Sequence, residues 1–72
     1  MLDYSKLRGR IVEKYGSIRA FAEAADMSRA QISHKLNGRT DFYTRDIIKW
    51  SKLLEIAPED IHIYFFSETL YF

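Results

Sequence analysis

The sequence predicts an all-α fold, five short helices with an aromatic C-terminal extension, and three observations carry that expectation. Apolar residues recur at helical rather than alternating spacing along most of the chain. Residues that cap or stop helices (Gly16, Ser17, Ser28, Asn37-Gly38, Thr44, Pro58) punctuate it at short intervals. At 72 residues the chain is long enough to close one hydrophobic core. Residues 1–72 are therefore read as a single domain, with helices expected at about 4–15, 18–25, 29–37, 45–54 and 58–64 and a tail at 65–72.

In the first helix Tyr4, Leu7, Ile11 and Tyr15 fall on one side, and Gly16 follows as a C-terminal stop. Ser17 then caps a second helix, its hydroxyl oxygen taking up an N–H that the first turn leaves unpaired. Four alanines between Ile18 and Ala25 favour helix, and Phe21, Ala22 and Ala25 share a side. Asp26 and Met27 interrupt the pattern before Ser28 caps a third helix, whose inward side is Ile32 and Leu36. Asn37-Gly38 ends it with residue types that tolerate a left-handed backbone. Thr40 to Tyr43 reads as a loop. Thr44 is expected to cap the fourth helix, with Asp46 in its first turn and Ile47, Trp50, Leu53 and Leu54 as its apolar stripe. Pro58, followed by Glu59 and Asp60, starts a short fifth helix. The expected core is Leu7, Ile11, Phe21, Ala22, Met27, Ile32, Leu36, Ile47, Trp50 and Leu53.

Composition narrows the function classes. The apolar share is 47% and the charged share 29%, as in an ordinary soluble domain, and there is no cysteine to form disulfides or thiolate metal sites. No apolar run approaches the roughly 18 residues of a membrane span. The opening Met1-Leu2-Asp3-Tyr4-Ser5-Lys6 lacks the charged-then-apolar order of a signal peptide. A cytoplasmic location is the expectation. The three glycines form no phosphate-binding loop, the two histidines stand far apart, and no serine–histidine–acid or paired-carboxylate arrangement stands out. Neither enzyme activity, nor a metal, nor a cofactor is expected.

The net charge is only +1, but it is unevenly spread. Eight basic residues face four acidic ones up to Arg39, whereas three face six beyond it. Such a chain can present a basic face to phosphates and keep an acidic one elsewhere. The segment from Ser17 to Gly38 gives that face a shape. Two short helices joined by a tight turn hold the second out as a reading head, and Ala22 sits where the two must come close. The outward side of the second is Ser28, Arg29, Ala30, Ser33, His34 and Asn37, followed by Arg39. Arg29 offers a planar fork for the O6 and N7 of guanine. Ser28 and Ala30 suit a thymine methyl or a phosphate, and His34 a base edge or the backbone. Ser17, Arg19, Asn37, Gly38 and Arg39 are candidates for phosphate contact.

The run Ser28-Arg29-Ala30-Gln31-Ile32-Ser33-His34-Lys35-Leu36-Asn37-Gly38-Arg39 resembles the recognition helix of the phage repressor and Cro-type helix-turn-helix family. The opening from Leu2 to Ile11 and the closing stretch from Pro58 to Phe66 resemble small regulators of Gram-positive temperate phages, Cro-like or of the modulator-of-repression (antirepressor) type. The resemblance implies a lambda-repressor-like fold and a role in the lysogenic/lytic genetic switch of a bacterial host. Two partners follow from it: double-stranded operator DNA read by a dimer, or, alternatively, the phage repressor protein itself. Two departures favour the second. Ile18 stands where the family usually has a glutamine that contacts phosphate, and Asp26 stands where it usually has a turn glycine. The aromatic residues Tyr64, Phe65, Phe66, Leu70, Tyr71 and Phe72 exceed what so small a core needs. They are expected either to fold back or to form a homodimer or partner surface.

Overall fold

A computed structural model describes residues 2–68. These form five α-helices, with no strand among them: α1 (Ser5–Tyr15), α2 (Ile18–Ala25), α3 (Arg29–Leu36), α4 (Thr44–Leu53) and α5 (Ile61–Phe65). A 3-10 turn, Pro58–Asp60, leads into α5. The all-α, five-helix expectation is met. α1 packs on α2 and α5, α2 on α3 and α4, and α4 on α5. α3 packs mainly on α2.

The helix ends follow from named side chains. The Asp3 carboxylate accepts the Ser5 N–H at 2.9 Å, so α1 begins one residue later than expected, at Ser5. Gly16 stops it in a left-handed conformation (φ 84°) that costs glycine nothing. The Ser17 hydroxyl accepts from the Ala20 N–H at 3.1 Å and caps α2 as its position in the sequence implies. α4 differs from expectation. Tyr43 occupies the cap position and Thr44 is already helical, because the Asp46 carboxylate reaches back to accept the Tyr43 N–H at 2.9 Å. The expected fifth helix is split, as Pro58 opens a 3-10 turn and regular helix begins only at Ile61.

Leu7, Ile11, Phe21, Ala22, Ile32, Leu36 and Trp50 are buried together with Ala25, Leu54, Ile56 and Phe65. Met27, Ile47 and Leu53, expected in the core, pack against its margin and remain half-buried. On α4 the inward line runs through Trp50 to Leu54, which leaves Ile47 and Leu53 flanking it. Phe65, assigned to the tail by its sequence context, is the last residue of α5 and 1% exposed. The centre is an aromatic chain: Trp50 lies 4.9 Å, edge to face, from both Phe21 and Phe42. Phe42 in turn meets Phe65 at 5.3 Å and Tyr4 at 5.1 Å. Such pairs contribute about 0.5–1.5 kcal/mol each beyond their buried area. The loop from Thr40 to Tyr43 therefore delivers a central packing residue.

Arg10 closes the junction after α4. Its guanidinium donates to the carbonyls of Leu54 at 2.9 Å and Glu55 at 3.2 Å, while Lys14 pairs with the Glu55 carboxylate at 2.6 Å. The two ends of the described segment meet, since the Asp3 N–H donates to the Ser67 carbonyl at 2.7 Å and Leu2 forms an isolated antiparallel bridge with Glu68. Phe66 beside them is 55% exposed. The aromatic pair Tyr71 and Phe72, and Leu70 with them, lie outside the described residues. No described helix is long and apolar enough to cross a membrane.

Candidate functional site

The site is the outward surface of α3 with the turn before it and the loop after it. The turn needs a left-handed residue to swing the chain from α2 into α3, and Asp26 supplies it with φ 57° and ψ 46°. Its N–H donates to Glu23 at 3.2 Å and the Met27 N–H to Ala22 at 3.0 Å, which pairs the last carbonyls of α2. Lys49 of α4 donates to the Ala25 carbonyl and holds the same end. Ser28 then opens α3 with a capping box: its hydroxyl accepts from the Gln31 N–H at 3.1 Å, and the Gln31 side chain accepts from the Ser28 N–H at 2.9 Å.

Of the residues expected on the reading surface, Ser28, Arg29, Ala30, Asn37, Gly38 and Arg39 are exposed, as are Ser17 and Arg19. Ser33 and His34 are half-buried. Arg29 projects from the first turn of α3 with no charged partner among the described residues. Several of the other groups already have local bonds. The hydroxyl oxygens of Ser17 and Ser28 are occupied as caps. The Asn37 side-chain Oδ1 accepts from the Arg8 guanidinium at 3.1 Å. The Gly38 N–H, expected to meet phosphate, points to the Lys35 carbonyl at 3.2 Å, because α3 closes on its own last turn. Ile18, in place of the usual glutamine, packs against the core.

The sequence reading missed Lys35. It lies on α3 one residue from the buried Leu36 and is only 7% exposed. Its ammonium donates to the Asp41 carbonyl at 2.8 Å and to the Asp46 carboxylate at 3.0 Å, and it lies 5.2 Å from the centre of the Tyr43 ring. Burial alone would raise the Asp46 pKa. The Tyr43 N–H, the hydrogen bond and charge of Lys35, and the charge of Arg45 together hold it below the ordinary carboxylate value. Lys35 thus latches α3 to the loop and to the start of α4. The available signal was its position beside Ile32 and Leu36 on the inward side of the helix, which no surface lysine needs.

Two clefts flank α3. One of about 200 Å³ is lined by Met27, Gln31, His34, Lys35, Thr40 and Tyr43. The other, about 470 Å³, lies between the N-terminal arm, Arg8 and the carboxyl end of α3. Among the described residues no group of three side chains is placed to hold a metal ion. The arrangement offers a surface with mixed charge and shallow clefts, suited to docking a macromolecule.

The bundle with its exposed, capped α3 is that of a small all-helical domain. The chain belongs to the family described as "Protein of unknown function (DUF739)", which it matches over residues 1–68. It is similar to the modulator of repression (MOR) of the temperate bacteriophage TP901-1 from Lactococcus lactis, whose solution structure shares 38% sequence identity with it. That match covers 97% of this chain and 95% of the other, with a TM-score of 0.81. No curated protein sequence matches the chain.

Proposed function

We propose that this protein is a modulator of repression in a temperate phage, binding the phage repressor through the α3 surface and altering the repressor's hold on its operator. The observation that supports this most is the 38% identity to the TP901-1 modulator of repression along essentially the whole chain. The site chemistry agrees with it. Ile18 offers no phosphate donor, the Gly38 N–H is taken, and Asp26 puts a carboxylate beside the start of α3. Each of these weakens a phosphate-binding surface and is neutral toward a protein partner. On this reading the protein is a cytoplasmic, non-enzymatic switch component that needs no cofactor.

A Cro-like operator reader is the second reading, and Arg29 favours it. An exposed arginine at the amino end of α3, with no charged partner among the described residues, is placed as a guanine-reading fork would be. One titration separates the two. The purified protein is added to fluorescent operator DNA alone and to the preformed complex of that DNA with the repressor from the same phage genome. Repressor binding gives no direct shift of the DNA at micromolar protein but changes the repressor–operator signal, and Arg29→Ala weakens that effect about tenfold. Direct, steeply salt-dependent DNA binding without any complex with the repressor would overturn the proposal.

A further inference from the structure

Phe42 and Tyr43 are neighbours on one loop, yet they part ways. Phe42 turns into the aromatic chain, whereas Tyr43 stays 59% exposed. Its ring is held all the same. The Lys35 ammonium lies 5.2 Å from the ring centre and the Arg45 guanidinium 5.0 Å, and the Tyr43 N–H is bound to the Asp46 carboxylate at 2.9 Å. Contacts of this kind attract, so an exposed aromatic is fixed by α3 and α4 before any partner arrives. Tyr43 shares the smaller cleft with Met27 of the turn and with Gln31 and His34 of α3, which makes that cleft continuous with the outward face of α3. The ammonium in its lining, Lys35, is already paired with Asp46 at 3.0 Å. A compensated charge gives phosphate or a carboxylate little reason to enter, while a thioether and an aromatic ring suit an apolar side chain.

We infer that Tyr43 is an anchor residue for the repressor, its ring and the cleft beside it taking up an uncharged, apolar side chain of that partner. The inference rests on the proposed repressor binding and deepens it, adding an apolar contact to the charged one at Arg29. Interfaces concentrate their energy in a few aromatic and arginine side chains set beside pockets, and a side chain fixed in advance loses little freedom on binding. Tyr43 meets both conditions. Phe66 is exposed to a similar degree, 55%, but lines neither cleft.

The test measures the Kd between the intact chain and the purified repressor from the same phage genome by isothermal titration. Tyr43→Ala is expected to weaken binding at least about tenfold, and Tyr43→Phe, which keeps the ring, less than about threefold. The ratio of Tyr43→Ala to parent should hold within about twofold between about 0.1 M and 0.5 M salt, because apolar burial is not screened. Tyr43→Ala also takes the ring away from Lys35 and Arg45, so a second variant leaves those contacts in place. Thr40 is exposed at the rim of the cleft, and Thr40→Tyr fills it, which should weaken binding at least about fivefold. Urea unfolding followed by Trp50 fluorescence verifies that each variant is folded. Parent-like binding by Tyr43→Ala, a loss that vanishes at high salt, or parent-like binding by Thr40→Tyr overturns the anchor and leaves the proposed function standing. No binding by the parent protein overturns the proposed function, and the anchor with it.

Discussion

Breaking the Lys35–Asp46 latch is the sharpest test of how α3 is held. Lys35 is 7% exposed, the Asp46 side chain 15%, and their atoms are 3.0 Å apart. Removing one partner of a buried pair costs about 3–5 kcal/mol, because the other charge is left stranded. Two features lower that figure here: Lys35 keeps the Asp41 carbonyl, and Asp46 retains some contact with water. Asp46→Asn is therefore expected to cost about 2 kcal/mol. Asp46→Ala also removes the acceptor for the Tyr43 N–H, so it should reach about 3 kcal/mol. Lys35→Met keeps the packing volume and leaves Asp46 bound to Tyr43, for about 1–2 kcal/mol. If the latch is one unit, the double variant Lys35→Met/Asp46→Asn loses little more than the worse single variant. The coupling is then about 1.5 kcal/mol. Urea unfolding followed by the fluorescence of the only tryptophan, Trp50, measures each value. At a slope of about 1 kcal/mol per molar urea, these effects move the midpoint by 1 to 3 M. Single-variant losses that add to within about 0.5 kcal/mol would show that the two side chains act separately, and the reasoning would fail.

Other expectations use the same urea assay. Ser28→Ala removes the α3 capping box and should cost about 1 kcal/mol, whereas Ser28→Asp, another good cap, should cost little. Asp26→Gly relieves a left-handed non-glycine residue and should stabilise by about 0.5–1 kcal/mol; a loss of stability would contradict the role given to the turn. Phe42→Ala empties the centre of the aromatic chain and should cost about 3 kcal/mol, far more than a surface loop residue would. The depressed pKa of Asp46 sets a pH dependence. A carboxyl group whose folded value lies below its unfolded value contributes stability that is present above the unfolded value, near 4, and is lost as pH falls through the folded one. The fall in stability between pH 5 and pH 2 should accordingly be smaller in Asp46→Asn than in the parent protein.

The helices were legible because their signals are local. Ser17, Ser28, Gly16 and Asn37-Gly38 act within one turn of where they stand, and spacing alone selects Leu7, Ile11, Phe21, Ile32 and Trp50 as inward residues. What escaped was set by contacts between distant segments. Phe42 is a half-buried packing residue on a loop, and nothing in Thr40 to Tyr43 announces that Trp50, Phe65 and Tyr4 converge on it. Lys35 carries a charge that normally marks the surface, and only the carbonyl of Asp41 and the carboxylate of Asp46 make its burial possible. Thr44 is a better intrinsic cap than Tyr43, yet Asp46 reaches the Tyr43 N–H and shifts the helix start by one residue. The exposed face of α3 was legible as a set of residues. Which of its polar groups were already engaged was not, since Arg8 meets Asn37 from 29 residues away.

These distant contacts tie the site to the fold. The loop from Thr40 to Tyr43 supplies Phe42 to the core, the Asp41 carbonyl to Lys35, and lining residues to both clefts beside α3. A helix that packs mainly on one neighbour would otherwise be free to pivot on the Asp26 turn. The latch removes that freedom by pinning the carboxyl-terminal half of α3, while the capping box and the Lys49 bond to Ala25 fix its beginning. α3 is then presented at one angle, with Asp26 and Arg29 at its amino end and Arg8, Asp3, Asp41 and Arg39 around its other end. A surface with charges of both signs distinguishes its partners by their charge pattern. A DNA backbone, negative along its whole length, meets both arginines and carboxylates at each end. A folded protein that itself carries charges of both signs can match such a surface more fully than a uniformly negative backbone can.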